Sequence, residues 1–171
     1  MAEILIAGIG NLLRGDDGFG VEVAKQLSSD GHLPAGTKVI ELGIAGISLV
    51  QELMTQRYDV LIVLDVAHRG GKPGTMYTLE AQVPELSSFS QEELRAMMTE
   101  PHTTEPSKAF VIAKALNVLP PKVFLVACEP KNVDDLSTEL SEPVQRAAEN
   151  AVGRVYDLCK MLSTEIAMMY K

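Results

Sequence analysis

The 171 residues of this chain suit one domain of ordinary size, and we expect a single domain over residues 1–171. Hydrophobic residues make up 46% of the chain and charged residues 22%, which is typical of a globular protein, and the formal net charge of −8 argues against nucleic acid as a partner. No apolar run approaches the roughly 18 residues that cross a membrane, and no secretory signal pattern is present. We therefore expect a cytoplasmic protein without membrane association, and its size and the lack of an obvious exposed apolar stripe favour a monomer.

Strand and helix patterns alternate along the chain in the way that is typical of parallel crossover units. Short apolar runs predict five strands, at residues 4–9, 38–42, 59–65, 75–79 and 123–127. Helical spacing begins at residue 21 and predicts further helices at 47–54, 107–116 and 142–168, with a helical turn or two within 91–98. Alternating residue types place the fourth strand at an edge. The sequence therefore predicts an α/β fold, a three-layer α/β/α domain with a mostly parallel sheet of about five strands, which binds ligands at the strands' carboxyl ends.

The loop between the first strand and the first helix carries the most specific motif of the chain, GIGNLLRGDDGFG at residues 8–20. It contains the paired carboxylates of Asp16 and Asp17, near the amino end of a helix. Helix capping alone can explain the presence of either carboxylate, and such a cap stabilises a helix by about 1 kcal/mol. Capping needs one acid, however, and the glycines around the pair permit close backbone approaches that other residues would resist. We therefore expect chemistry at this loop.

Two further groups are predicted at the same edge of the sheet. Asp65 ends the third strand, and His102 lies in the polar region before the helix at 107–116. On local sequence alone, Asp65 can simply bond a loop amide, and His102 can be a surface residue. Together with Asp17 they form a mixed oxygen and nitrogen ligand set that suits a divalent metal with open coordination positions. His68, three residues after Asp65, is a candidate for a supporting role.

The sequence favours metal-assisted hydrolysis over covalent catalysis. No serine, threonine or cysteine stands beside a base in a recognisable nucleophile motif, and no HExxH helix occurs. The two cysteines, Cys128 and Cys159, are expected to be buried small hydrophobic residues. A bound ion would polarise a carbonyl and lower the pKa of its water, while a carboxylate that does not bind the metal accepts the proton.

A phosphate-binding loop is the alternative reading of the glycine-rich motif. Gly8, Gly10 and Gly15 give the spacing GxGxxxxG, which differs from the dinucleotide fingerprint GxGxxG, and no Lys-Ser or Lys-Thr pair follows. Two acids also stand where a phosphate would bind. Like charges would repel the phosphate, so the sequence disfavours this function.

The motif at residues 8–20 resembles that of the hydrogenase maturation proteases, endopeptidases that trim the C-terminus of the large subunit of nickel-iron hydrogenases. The resemblance includes ELGIAG at 41–46, VLIVLDVAHRGGKPGTMY at 60–77, the segment around His102, and LSEPVQRAAENAV at 140–152. It thus covers nearly the whole chain. By position, the resemblance places the family's metal ligands on the same three residues as the reasoning from chemistry, Asp17, Asp65 and His102.

The resemblance implies a protease that recognises nickel already installed in its substrate, although another divalent ion can replace nickel in vitro. The two acids and the histidine would sense nickel on a hydrogenase large-subunit precursor, from which a short C-terminal extension is removed. Asp16 would orient the loop or its neighbour. The peptide cleft would be lined by four successive residues, Gly43, Ile44, Ala45 and Gly46. The sequence leaves open a second function, that of a nickel-sensing chaperone that binds the precursor without cutting it.

Overall fold

A five-stranded sheet with helices on both faces forms the framework of the structure, a computed structural model that describes residues 1–44, 46–99 and 106–169. The strands are β1 (Ile4–Ile9), β2 (Thr37–Gly43), β3 (Val60–Val66), β4 (Met76–Glu80) and β5 (Lys122–Cys128). The helices are α1 (Phe19–Asp30), α2 (Gly46–Leu53), α3 (Gln91–Thr99), α4 (Pro106–Ala115) and α5 (Glu142–Met169). Two short 3₁₀ turns occupy Gly15–Gly18 and Leu86–Ser88. The predicted order of strands and helices is confirmed.

The sheet has the strand order β2-β1-β3-β5-β4. β1 pairs in parallel with β2 and β3, and β3 pairs in parallel with β5. β4 runs antiparallel to β5 at the edge of the sheet, where its alternating sequence placed it. In the strand order, β2 lies on one side of β1 and β3 lies on the other side, so the direction in which the chain adds strands reverses after β2. The carboxyl ends of β1 and β3 therefore meet at a topological switch point, the place where open α/β sheets bind ligands.

Hydrophobic clusters cover both faces of the sheet. Alternate residues of β1 enter different clusters, since Ile4 and Ile6 pack with residues of α1 and α5, whereas Leu5 and Ala7 pack with residues of α2 and α4. Strands that are buried on both faces are apolar at every position, which is why β1 and β3 were clear in the sequence. None of the helices in the described part of the chain combines the length and the hydropathy needed to cross a membrane.

Helix α1 packs against the sheet through an unusually close contact at Gly20. A Cβ atom at this position would lie 2.0 Å from the carbonyl oxygen of Leu64 and 2.3 Å from that of Ile9. Both oxygens belong to the backbone of neighbouring strands, so they cannot move aside without disturbing the sheet. The contact holds the amino end of α1, which directly follows the Asp16–Asp17 pair, against the carboxyl ends of β1 and β3.

Gly20→Ala should therefore destabilise the protein, although alanine in a helix interior is more favourable than glycine by about 1 kcal/mol. We expect the free energy of unfolding to fall by about 3 kcal/mol, because the added methyl group must displace backbone atoms. The matched control is Gly153→Ala in α5, an exposed position with open space around the added Cβ, where a gain of up to about 1 kcal/mol is expected. Urea denaturation measures both variants, and similar effects in the two would contradict the close packing.

Candidate active site

A cleft opens at the carboxyl ends of β1 and β3, and its cavity volume is about 350 Å³. The loop between β1 and α1 contributes Asn11, Arg14 and Asp17 to its lining. The end of β3 and the residues after it contribute Asp65 and His68. The structure therefore brings the two predicted carboxylates, Asp17 and Asp65, into one cleft at the switch point of the sheet.

The loop before α1 folds back on itself and orients Asp17. Asp17 Oδ2 accepts a hydrogen bond from the N–H of Asn11 at 3.0 Å. This close return is possible because Gly10 has a φ of 136° and no Cβ, which would otherwise lie 1.8 Å from the carbonyl oxygen of Asp17. The N–H of Gly10 also donates to the carbonyl oxygen of Gly43 at the end of β2. The conformation of the motif is thereby tied to the sheet edge.

Asp16 is only 1% exposed and bonds to a different part of the chain, the 129–141 loop between β5 and α5. Its Oδ2 accepts hydrogen bonds from the N–H groups of Lys131 and Asn132, at 2.8 and 3.0 Å, and from the Ser141 hydroxyl at 2.9 Å. Its Oδ1 accepts the N–H of Ser141 at 2.6 Å. These four hydrogen bonds compensate the burial of a carboxylate. Within the predicted catalytic group, Asp16 was expected to orient the loop or its neighbour, and we interpret it as a positioning residue because both of its oxygens bond to the 129–141 loop.

Burial raises the pKa of Asp65 to about 7. The N–H of Val66 donates to Oδ1 of Asp65 at 2.7 Å and opposes the rise, whereas the negative charge of Asp17 adds to it. The two carboxylates are therefore close enough to interact. A carboxyl group that titrates near neutral pH in a cleft can hold or release a proton there, or give it up to a bound cation.

The third residue of the predicted metal trio, His102, lies outside the described residues. Pro106, the first described residue after it, lines the cleft. Within residues 1–44, 46–99 and 106–169, no three His, Cys, Asp or Glu side chains are grouped in a way that could hold a metal ion. The described residues thus supply two of the three predicted ligands, Asp17 and Asp65, and the metal site stays a prediction.

The four residues that were predicted to line a peptide cleft have different positions. Ile44 lines the cleft and is 50% exposed, so it offers apolar surface to a ligand. Gly43 ends β2 and accepts the hydrogen bond from Gly10. Gly46 is buried at the start of α2. Ala45 lies outside the described residues.

Sequence reasoning missed a second buried carboxylate, that of Glu129, which is 5% exposed. It accepts hydrogen bonds from the N–H groups of Arg69 and Gly70, at 2.9 and 3.3 Å, and from the Tyr77 hydroxyl at 2.8 Å. The N–H of Arg69 is the main cause that holds the pKa of Glu129 below its usual value. The sequence did carry a signal for Glu129, because an acid directly after a buried strand is also what singled out Asp65.

Both cysteines are buried, as the sequence predicted. Burial raises the pKa of the Cys128 thiol to about 11 and that of the Cys159 thiol to about 12. A cysteine acts as a nucleophile through its thiolate, which these two thiols do not form near neutral pH. The structure gives neither cysteine the properties of a catalytic nucleophile.

Comparison with known proteins identifies the family. A family model described as hydrogenase maturation protease matches residues 21–158. The chain belongs to the hydrogenase maturation protease family. It is 33% identical over 151 residues to the hydrogenase expression/formation protein HupM of Azotobacter chroococcum mcd 1, and the aligned region covers 88% of this chain and 68% of that protein. It is 31% identical over 163 residues to the coenzyme F420 hydrogenase subunit delta of Methanothermobacter thermautotrophicus, and the aligned region covers 91% of this chain and 94% of that protein.

Solved structures of the family have the same fold. The hydrogenase maturating endopeptidase HybD from E. coli matches with a TM-score of 0.73 over 93% of both chains, at 23% identity, which shows the fold alone. A hydrogenase 2 maturation peptidase from a Thaumarchaeota archaeon matches with a TM-score of 0.65 at 32% identity, over 91% of this chain and 97% of that one. The predicted α/β fold and the resemblance to the family are confirmed, and membership identifies the protein as a protease of hydrogenase maturation.

The raised pKa of Asp65 predicts that Asp65→Asn stabilises the metal-free protein at neutral and alkaline pH. The carboxyl ionises near pH 3.8 in the unfolded chain and near 7 in the folded one, so the folded protein loses stability as the pH rises between these values. Asparagine carries no charge and keeps an oxygen for the N–H of Val66. We expect D65N to gain on the order of 2 to 4 kcal/mol at pH 8 and almost nothing at pH 4.

Urea denaturation with a chelator present, repeated from pH 4 to pH 8, measures this difference. A difference between D65N and the natural protein that does not change with pH would contradict a raised pKa of Asp65.

Substitution by asparagine should affect the stability of the protein differently at the adjacent acids Asp16 and Asp17. In Asp16→Asn an amide N–H₂ must face donors of the 129–141 loop, which leaves buried donors without acceptors and lowers the free energy of unfolding by about 3 kcal/mol. Asp17→Asn keeps an oxygen for the N–H of Asn11 at a partly exposed site, so a loss below about 1 kcal/mol is expected. Urea denaturation compares the two variants, and equal losses would contradict the positioning role of Asp16.

Proposed function

We propose that the protein is an endopeptidase that removes a C-terminal extension from the nickel-loaded precursor of a nickel-iron hydrogenase large subunit. The observation that carries this proposal is the meeting of Asp17 and Asp65 in one open cleft, in a chain of the hydrogenase maturation protease family. Family membership supports the proteolysis, and the two carboxylates support recognition of a metal ion on the substrate.

Asp17, Asp65 and His102 are the residues that would bind the nickel ion carried by the substrate. Carboxylate and imidazole groups suit a borderline divalent ion, and three protein ligands leave coordination positions for groups of the precursor. The cleft supports this role, because Asp65 lies beside the negative charge of Asp17 and a cation would favour the ionised form of Asp65. His102 is assigned to this site by the sequence alone, in which it precedes the cleft residue Pro106 by four residues.

The cleft also supports a polypeptide substrate. Its volume lies within the range of roughly 300 to 1,000 Å³ that is usual for ligand clefts. The half-exposed side chain of Ile44 offers an apolar contact, and Asn11 and Arg14 offer polar ones. The expected cytoplasmic location and monomeric state remain predictions.

The proposal predicts that only the nickel-loaded precursor is cut, and that Asp17→Asn abolishes the cut. The precursor is incubated with this protein in its nickel-loaded and nickel-free forms, and intact mass spectrometry measures the loss of a C-terminal peptide. D17N should leave the mass unchanged while its stability is retained, because asparagine replaces a charged ligand with a neutral one. The matched control is Asp157→Asn, an exposed acid on α5 outside the cleft, which should cut normally.

Each contrary outcome has a distinct meaning. Cutting by D17N at the natural rate would remove Asp17 from the mechanism. Equal cutting of both forms of the precursor would contradict recognition of nickel. An unchanged mass despite stable binding of the precursor would instead favour the nickel-sensing chaperone.

A further inference from the structure

His68 lies in the cleft beside Asp17 and Asp65 without a defined role in the proposed function. Its side chain is exposed, and its ring nitrogens bond to no other described residue. His32 differs, because its Nδ1 lies 3.0 Å from Asp30 Oδ1 at the end of α1. The imidazole of His68 is therefore not used to hold the described part of the fold together.

The backbone on both sides of His68 is nevertheless fixed. The N–H of Ala67 donates to the carbonyl oxygen of Cys128 at 3.0 Å, which extends the contact between β3 and β5 beyond their last paired residues. The N–H of Arg69 donates to Glu129 Oε2 at 2.9 Å, and that of Gly70 donates to Oε1. An exposed side chain is thus presented from a backbone segment whose neighbouring amides are bonded.

Glu129 gives this segment its rigidity. A buried carboxylate is stable only when its oxygens accept hydrogen bonds, and the turn after His68 supplies them. Tyr77 donates a further hydrogen bond to the same carboxylate, and the guanidinium of Arg69 lies over the Tyr77 ring, 5.6 Å from its centre. The side chain of Arg69 is thereby held against Tyr77 of β4, whereas the side chain of His68 lines the cleft.

The position of His68 favours contact with a polypeptide over metal binding. No group of three potential ligands that could hold a metal includes it among the residues that the structure describes. A neutral imidazole carries one N–H donor and one nitrogen acceptor, which match the carbonyl and N–H groups of an extended peptide. A side chain on an ordered backbone loses only its own rotamer freedom when it binds, because the backbone needs no further ordering.

We propose that His68 is a substrate-binding residue, which hydrogen-bonds the backbone of the precursor next to the carboxylates of Asp17 and Asp65. This inference rests on the proposed endopeptidase function and adds a contact to the same site. Glu129 is then a positioning residue that acts through the turn after His68. A contact that is present in the bound substrate before any bond breaks contributes to KM and leaves kcat unchanged.

The test compares three variants on the nickel-loaded precursor. His68→Ala should raise KM about three- to tenfold, the equivalent of one hydrogen bond, with kcat and the unfolding temperature unchanged. His68→Gln should recover most of the lost affinity, because its amide keeps a donor and an acceptor at the reach of Nε2. The control is His32→Ala, at an exposed histidine outside the cleft, which should match the natural protein.

An unchanged KM in H68A would overturn the inference, and so would a loss that H68Q does not recover. If the natural protein cuts no precursor, the proposed function itself fails. Calorimetric binding of the intact nickel-loaded precursor then decides the role of His68 alone. Weaker binding by H68A that H68Q recovers would support the contact, whereas equal binding by the natural protein and H68A, or no binding by either, would overturn it.

Discussion

The buried carboxylate of Asp16 is the interaction on which the geometry of the cleft depends. It joins the loop that carries Asp17 to the 129–141 loop through four hydrogen bonds. The pair lies in a 3₁₀ turn, in which consecutive side chains point about 120° apart because three residues complete a turn. Two neighbouring acids of the same type therefore face different surroundings, so that one is buried and the other lines the cleft.

The 129–141 loop connects both walls of the cleft. Its first residue, Glu129, accepts hydrogen bonds from the turn that follows Asp65 and His68. Its later residues donate to Asp16, which directly precedes Asp17. The separation of Asp17 and Asp65 is thus set by two buried carboxylates at opposite walls as well as by the pairing of β1 with β3. A fixed separation favours the recognition of one ion by two acids, since little reorganisation accompanies binding.

The framework of this site could be predicted from the sequence, but its supports could not. β1 and β3 are buried on both faces, so their apolar runs revealed them, and the acids at their ends followed from the parallel arrangement. The partners of Asp16 and Glu129 lie far along the chain, at separations such as 115 residues from Asp16 to Lys131. Spacing within a motif carries no information on such contacts, and it does not tell which of two adjacent acids is buried.

The same electrostatics link the stability of the protein to its proposed selectivity. Asp65 is held in a partly buried position beside Asp17, where its ionised form is unfavourable, and this local strain is typical of sites that sacrifice stability for function. A nickel ion on the precursor would be attracted to both carboxylates and would favour the ionised form of Asp65, so it would contribute binding free energy that a nickel-free precursor lacks. Contacts such as the one proposed for His68 would serve both forms of the precursor equally. Under the proposed function, discrimination therefore depends on the three proposed nickel ligands, Asp17, Asp65 and His102, and the rest of the cleft supplies affinity that is common to both forms.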